Sequence, residues 1–373
     1  MTHRPRILLL IPHLGGGGAE KVFANLARNL SQKKYELHLC LVTDSNSNKE
    51  PLPGGVTVHH IGVSRVRFGL YAAFRLIRKL KPAVVLSGMI HLNLLVLALR
   101  PLIPRRTRIL VRQNRNLTLA PGKLPTWAAP IYGALYRGSD RVICQSQSMA
   151  HDFCSTLRLP SDKIAVLPNP VDLDAVRVLA KGPKLDLQAQ WPGPGPHLLA
   201  VGRLSHEKGF DLLLNSFATV RKHFPTASLA IAGVGSEISA LKELRNSSDL
   251  RDSVRFLGQV PSPARYFQGA TLFVLPSRYD AMPNALLEAA AAGLPLVALP
   301  ASDGLVDLLR DKTGTWIGPS TSVESLTSTL LEALNVLKPG ERFEYPWIEQ
   351  FQIRRALAAY EKLIDETIGA WQL

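Results

Sequence analysis

The sequence predicts an α/β protein made of two doubly wound parallel sheets, each covered by helices. Two observations point there. Short apolar runs alternate with helical patterns along nearly the whole chain, and such alternation folds into parallel sheets with helices on their faces. A proline- and glycine-rich stretch, Lys181–His197, interrupts the alternation once, after which it restarts. The length of 373 residues suits two cores of roughly 150–200 residues better than one.

The elements follow in order. Arg6–Ile11 reads as a strand, Ala19–Leu30 as a helix, Glu36–Thr43 and Val56–Ile61 as strands, and Leu70–Leu80 as a basic helix. Ala83–Leu86 is a strand followed by a loop and a helix, and Arg108–Val111 and Arg141–Cys144 are further strands. Beyond the linker, His197–Val201, Ser228–Ala232, Val254–Leu257, Leu272–Val274 and Leu296–Ala298 read as strands. Gly209–His223, Ser236–Arg245 and Asn284–Ala292 read as helices, and the tail Ile348–Ile368 is helical. The predicted organisation is an N-terminal domain over 1–180, a linker over 181–196, a C-terminal domain over 197–345 and a helical segment over 346–373.

Charge is distributed unevenly. Residues 1–180 carry 25 Lys and Arg against 9 Asp and Glu, while residues 181–373 carry 19 against 20. No acidic residue lies between Glu50 and Asp140, and 14 basic residues occur from Arg65 to Arg137. A basic half admits nucleic acid, an anionic membrane or a phosphorylated substrate as partner. Three cysteines, Cys40, Cys144 and Cys154, do not suit a disulfide scaffold or a zinc site, and read as buried, inert thiols in a reducing cytoplasm. The apolar run Ile7–Ile11 is shorter than the roughly 7–15 residues of a signal-peptide core. Ala83–Leu99 is interrupted by Ser87, His91 and Asn93 and falls short of a membrane span of about 20 residues. Membrane contact is therefore expected to be peripheral.

Three loops between a strand and a helix carry the chemistry. Gly15-Gly16-Gly17-Gly18-Ala19-Glu20 lets the backbone approach a ligand at a helix start, which suits a phosphate or a sugar; Glu20 could equally cap the helix. Its spacing is not that of a dinucleotide fingerprint. In Val201-Gly202-Arg203-Leu204-Ser205-His206-Glu207-Lys208-Gly209, two fixed cations could hold a diphosphate and neutralise charge as it departs. In Pro276-Ser277-Arg278-Tyr279-Asp280-Ala281-Met282-Pro283-Asn284, Pro283 fits the first helical position, Asp280 precedes the helix and Glu288 lies inside it. The amides near Asn284, Ala285 and Leu286 would face a phosphate, and the two carboxylates would touch separate parts of an extended ligand.

These segments resemble the retaining glycosyltransferases of family 4. The resemblance rests on GGAEKVFANLA, VICQSQSMAHDF, LPNPVD, VGRLSHEKGFDLLLNSFA and PSRYDAMPNALLEAAAAGLPLVA, and it covers nearly the whole chain. It implies the GT-B architecture, two facing Rossmann-like domains with a C-terminal helix crossing back to the first. It implies that Arg203 and Lys208 hold the nucleotide diphosphate, that Glu288 binds the ribose hydroxyls, and that Asp280 contacts the donor sugar. Relatives usually have Glu at that last position, so this chain departs to a side chain one methylene shorter. Gly17, Gly18 and Gly202 match loops beside the donor, and Gly258 matches the segment near the nucleobase. Relatives read H-S-H-M-x-H-x-N where this chain has Leu86-Ser87-Gly88-Met89-Ile90-His91-Leu92-Asn93. His91 is then the candidate for touching the sugar, and Asn114 the candidate beside the acceptor.

The resemblance further implies same-face transfer from a nucleotide sugar, UDP-linked by preference, with the leaving phosphate oxygen accepting the acceptor's proton. No cofactor or metal is implied, since Arg203 and Lys208 can take the cation's place. The basic N-terminal half suits a glycan or polyprenyl-diphosphate acceptor at the inner face of the cell membrane, through Arg65, Arg67, Arg75, Arg78, Lys79 and Lys81 and through Arg105, Arg106 and Arg108. Two alternatives stay open at this point: a GT-B enzyme of other chemistry, such as an epimerase, and a nucleic-acid-binding protein. The latter explains the charge but neither the Arg203/Lys208 loop nor the Asp280 and Glu288 spacing, and no nucleic-acid motif is present.

Overall fold

The computed structural model describes residues 4–15, 17–43, 52, 54–118, 124–182 and 191–369. Gly16 and most of the predicted linker (183–190) lie outside the described residues. The chain divides into two compact units, 1–171 with 350–373, and 172–349.

Unit 1 runs β1 (Arg6–Ile11), α1 (Gly18–Asn29), β2 (Glu36–Thr43), β3 (Val56–Val63), α2 (Leu70–Leu80), β4 (Val84–Gly88), α3 (Ile90–Ala98), β5 (Arg108–Arg112), α4 (Ala129–Arg137), β6 (Arg141–Cys144), α5 (Gln147–Leu157) and β7 (Ile164–Val166). All strands are parallel, in the order β3-β2-β1-β4-β5-β6-β7. β1 and β4 are buried along nearly their whole length, which is why they read as unbroken apolar runs. The edge strand β3 alternates between exposed and half-buried positions. Ser146 Oγ caps α5 by accepting from Met149 N at 3.2 Å.

Unit 2 runs α6 (Leu173–Ala180), β8 (His197–Val201), α7 (Phe210–His223), β9 (Ser228–Ala232), α8 (Ile238–Ser247), β10 (Val254–Gly258), α9 (Ala264–Phe267), β11 (Leu272–Leu275), α10 (Asn284–Ala291), β12 (Leu296–Ala298), α11 (Asp303–Leu309), β13 (Thr315–Ile317) and α12 (Val323–Val336). Its parallel sheet has the order β10-β9-β8-β11-β12-β13. Its core gathers Leu198, Ala200, Leu229, Ile231, Leu272 and Val274 from the strands with Phe217, Val220, Leu326 and Leu330 from α7 and α12.

The final helix, α13 (Ile353–Gly369), belongs to unit 1 and packs against α1. Ile353, Leu357, Tyr360 and Ile364 enter the core beside Phe23, Leu26 and Ala27. The expected return of the C-terminal helix to the first domain is thus present.

Two departures from the sequence reading concern boundaries. The chain leaves unit 1 after Val171, not at 181–196. α6 packs against α9 and α10 of unit 2, although the sequence assigns it to the N-terminal domain. Asp172 starts that helix, its carboxylate accepting from Ala175 N at 3.0 Å. The short strands β7 and β13 are not anticipated by the sequence.

Candidate active site

In an open parallel sheet, ligands bind beyond the carboxyl ends of the strands, where the strand order reverses. In unit 2 that point lies between β8 and β11. The loop after β8 carries Gly202, Arg203 and Lys208, and the loop after β11 carries Arg278 and Asp280. Lys208 Nζ forms an ion pair with Asp280 Oδ2, and their side chains are 24% and 11% exposed. Partly shielded from water, this pair interacts more strongly than a surface bridge would.

Backbone contacts fix the two loops against each other. Gly209 has φ +66°, and a Cβ there would lie 2.0 Å from Pro276 O. Only glycine fits so close an approach in the left-handed region. Arg278 N donates to Glu207 O at 2.9 Å, and its guanidinium donates to His206 O at 2.9 Å and to both Asp211 oxygens at 2.7 Å. Burial would raise the Asp211 carboxyl, but the Arg278 hydrogen bonds and charge hold it below its ordinary range. The loop after β9 presses in from the other side. Gly233 has φ +148°, and a Cβ there would lie 1.8 Å from Gly202 O. The Arg278–Asp211 clamp and Gly233 are site-building residues that the sequence reading misses. The G-x-G of Gly233-Val234-Gly235 directly after a strand is the signal that could have flagged the loop.

The other C-terminal candidates are placed as follows. Pro283 is extended and serves as N-cap, so Asn284 takes the first helical position predicted for Pro283. Leu286 N donates to Pro283 O at 3.1 Å, so that amide is engaged within α10 itself, not turned toward a phosphate. Ala285 lies between them in the same first turn. Glu288 is buried, one turn further along α10. Gly258 ends β10 with φ +67°, and its carbonyl accepts from Gly233 N at 2.8 Å.

In unit 1 the order reverses between β1 and β4. This brings the glycine loop after β1 and the Gly88–His91 turn after β4 to one sheet edge. The glycine loop is not an empty anion cradle. Glu20 is buried in the first turn of α1, and a Cβ on Gly17 would lie 2.4 Å from Glu20 Oε2. A built-in carboxylate therefore occupies the space beside Gly17, at the positive end of the helix that begins with Gly18. His13 Nδ1 accepts from Gly15 N at 3.0 Å and stands 3.8 Å from Glu20 Oε1.

Met89 has φ +73°, a sparsely populated conformation for a residue with a side chain. His91 follows on the first turn of α3 and is exposed. Asn93, in the same motif, is buried and donates to Arg112 O at 2.9 Å, tying α3 to the end of β5. Asn114 is half-buried in the loop after β5. Arg112 is a further residue the sequence reading misses. It is buried, donating from Nε to Tyr360 OH at 2.8 Å and from its guanidinium to Asn169 Oδ1. It links β5, the LPNPVD segment and α13.

Cys40 and Cys144 are buried, and burial pushes both thiols up to about 12. Among the described residues, no group of three His, Cys, Asp or Glu is arranged to hold a metal, and no helix is long and apolar enough to cross a membrane.

Two family profiles match the chain. Residues 16–175 match the one described as Glycosyltransferase Family 4, and residues 195–335 match Glycosyl transferases group 1. The chain belongs to the family-4 glycosyltransferases. An uncharacterized glycosyltransferase of Haemophilus influenzae is 33% identical over 172 residues, 46% of this chain and 48% of its own length. The amylovoran biosynthesis glycosyltransferase AmsD of Erwinia amylovora is 23% identical over 82% of this chain and 84% of its own. The matches span 48% and 61% of the lengths of the H. influenzae relative and of one from Methanocaldococcus jannaschii.

Solved glycosyltransferase structures share the fold. Sucrose-phosphate synthase from Thermosynechococcus elongatus superposes with a TM-score of 0.81 at 17% identity, over 98% of this chain and 100% of that one. Anabaena HepE in complex with UDP-glucose superposes with a TM-score of 0.73 at 15% identity, over 99% of each chain. The two parallel-sheet units of this chain thus form a GT-B fold.

Proposed function

We propose that the protein transfers a glycosyl group, with retention, from a nucleotide sugar to a glycan or lipid-diphosphate acceptor. The observation that carries this reading is the shielded Lys208–Asp280 pair at the strand-order reversal of unit 2, with Arg203 on the same loop. Breaking the anomeric C–O bond leaves negative charge on the departing diphosphate and positive charge on the sugar. Arg203 and Lys208 neutralise the first, and Asp280 faces the second. The acceptor oxygen bonds to the anomeric carbon from the side the diphosphate leaves, and its proton passes to the leaving phosphate oxygen. Glu288 takes the ribose hydroxyls. His91 and Asn114 serve the sugar and the acceptor at the edge of unit 1. Lys208, held by Asp280, and the exposed Arg203 do the work a metal ion would otherwise do, so no metal is required.

A uridine nucleotide is the favoured donor, supported by the UDP-glucose complex of HepE. A surface-glycan acceptor is supported by the similarity to AmsD. The test is a panel of UDP- and GDP-sugars assayed by thermal shift and by product analysis in EDTA. A melting-temperature rise with one donor and transfer that survives EDTA are expected. Metal-dependent transfer, or a donor altered without any acceptor, would refute the reading.

We further propose a peripheral position at an anionic membrane, at the inner face of the cell membrane. Phe68, Tyr71 and Trp127 are 59%, 69% and 73% exposed. They lie in the helical turns that follow the carboxyl ends of β3 and β5, the edge that carries the acceptor candidates. Arg67 and Arg75 stand over the Phe68 and Tyr71 rings at 4.9 and 5.9 Å. Exposed aromatics among cations suit the boundary between headgroups and water.

A further inference from the structure

We propose that unit 1 carries a second anion site, at the opposite edge of its sheet, for a ligand bearing two or more phosphoryl charges. The site does not rest on the transfer reading above. A surface cavity of about 460 Å³ lies at the amino ends of β1, β2, β4 and β5. Among the described residues, five cations line it, Arg4, Arg6, Lys81, Arg106 and Arg108, against one carboxylate, Glu36. β1 has six residues and so separates this cavity from the glycine loop by about 20 Å.

Among the described residues, internal pairings position Arg4, Arg6 and Arg108, and the lining cations outnumber the carboxylates Glu36 and Asp140 that face them. Arg6 Nε is 3.1 Å from Glu36 Oε2, and its guanidinium also donates to Leu80 O at 3.1 Å. Arg108 Nη1 is 2.8 Å from Asp140 Oδ1. Its Nε is buried and has no hydrogen-bond partner among the described residues. Arg4 donates to a neutral group, Gln32 O. Lys81 is exposed at the end of α2, held in the left-handed region at φ 46° with its N–H on Ile77 O. The amides of the neighbouring strand starts are already bonded: Glu36 N to Pro5 O, Ala83 N to Arg6 O and Arg108 N to Ala83 O. Recognition therefore falls to the side chains.

That chemistry specifies the ligand. Guanidinium groups fixed by carboxylates present forks suited to phosphoryl oxygens. A single phosphate would leave several cations unmatched, whereas two or more would use them. Pro82 and Ile368 add an apolar wall, so the ligand can carry an apolar body. The volume falls in the range of small-molecule sites, roughly 300–1,000 Å³. Among the described lining residues the one carboxylate, Glu36, is held by Arg6.

The test is calorimetric titration of the full chain with inorganic pyrophosphate. It is run in an Arg203→Ala/Lys208→Ala background, so that the donor loop contributes nothing. Saturable binding is expected there, weakening about tenfold or more when Lys81→Asn and Arg106→Gln are added. Both positions are exposed, and Asn tolerates left-handed backbone. If that variant folds poorly, Arg4→Gln alone gives the same readout. Absence of saturable binding in the background, or unchanged affinity in the cavity variants, overturns the site. Vesicles of cardiolipin, whose headgroup carries two phosphates, added as competitor identify the source of the ligand. Displacement of pyrophosphate supports the site with a lipid headgroup as ligand, and continued binding supports it with a soluble one.

Discussion

Asp280 carries the most specific prediction at the scale of a residue. Its carboxylate is nearly buried and paired with Lys208, so it combines two roles. It fixes a cation that the proposed chemistry needs, and in that proposal it presents negative charge where the sugar becomes cationic. Asp280→Asn keeps the size but removes the charge, leaving Lys208 partly shielded without its counter-ion. Asp280→Glu keeps the charge and restores the side chain usual in the family. Steady-state kinetics should show Asp280→Asn lowering kcat on the order of 10²–10³, with Asp280→Glu losing far less. Equal and negligible effects would mean that Asp280 is not at the sugar. The other motif residues separate on closer view. Asn93 is held by Arg112 O in the core, whereas His91, two residues earlier, is exposed at the sheet edge.

Among the elements, the three loops around the donor candidates behave as one body. Glycines at 209 and 233 allow backbones to meet, and the Arg278–Asp211 clamp ties the β11 loop to α7. The clamp has a pH signature. Asp211 is held below its ordinary value, so its stabilisation is fully present above the ordinary carboxylate range and is lost as pH falls through the lowered value. Melting curves of wild type and Asp211→Asn should be separated above pH ~5 and converge toward pH ~3. A separation unchanged down to that pH would mean that the clamp contributes no charge-dependent stability.

Much of this level is legible in the sequence, because buried parallel strands read as apolar runs and loops such as Arg203–Lys208 punctuate them. β7 and β13 are not legible. Each is three residues long and only half-buried, too short to show a period. The segment that forms α6 falls in the N-terminal domain of the sequence reading because nothing local reveals which core it covers; packing against α9 and α10 decides that. The Asp211–Arg278 clamp joins residues 67 apart in sequence, so no local spacing announces it. The glycine loop is legible as a close backbone approach, and the carboxylate found beside Gly17 fits the alternative in which Glu20 turns to the helix start.

The whole molecule divides its charge by task. The proposed diphosphate grip sits on the near-neutral half, so the acid-free stretch between Glu50 and Asp140 has other work. Five of its cations fall into two places within unit 1: Arg67 and Arg75 among exposed aromatics at the carboxyl edge of the sheet, and Lys81, Arg106 and Arg108 in the cavity at the amino edge. The first place predicts membrane behaviour. Pelleting with phosphatidylglycerol vesicles should fall as salt rises and should drop further in Phe68→Ser/Tyr71→Ser. Pelleting indifferent to both would remove the membrane from the account.

The central claim is that Arg203 and Lys208 hold and discharge a nucleotide diphosphate. The most direct measurement is turnover of a donor sugar by wild type, Arg203→Ala and Lys208→Ala, with circular dichroism to show that each is folded. A fall in kcat/KM on the order of 10²–10³ or more is expected in each folded variant. Turnover at the wild-type rate in both would contradict it.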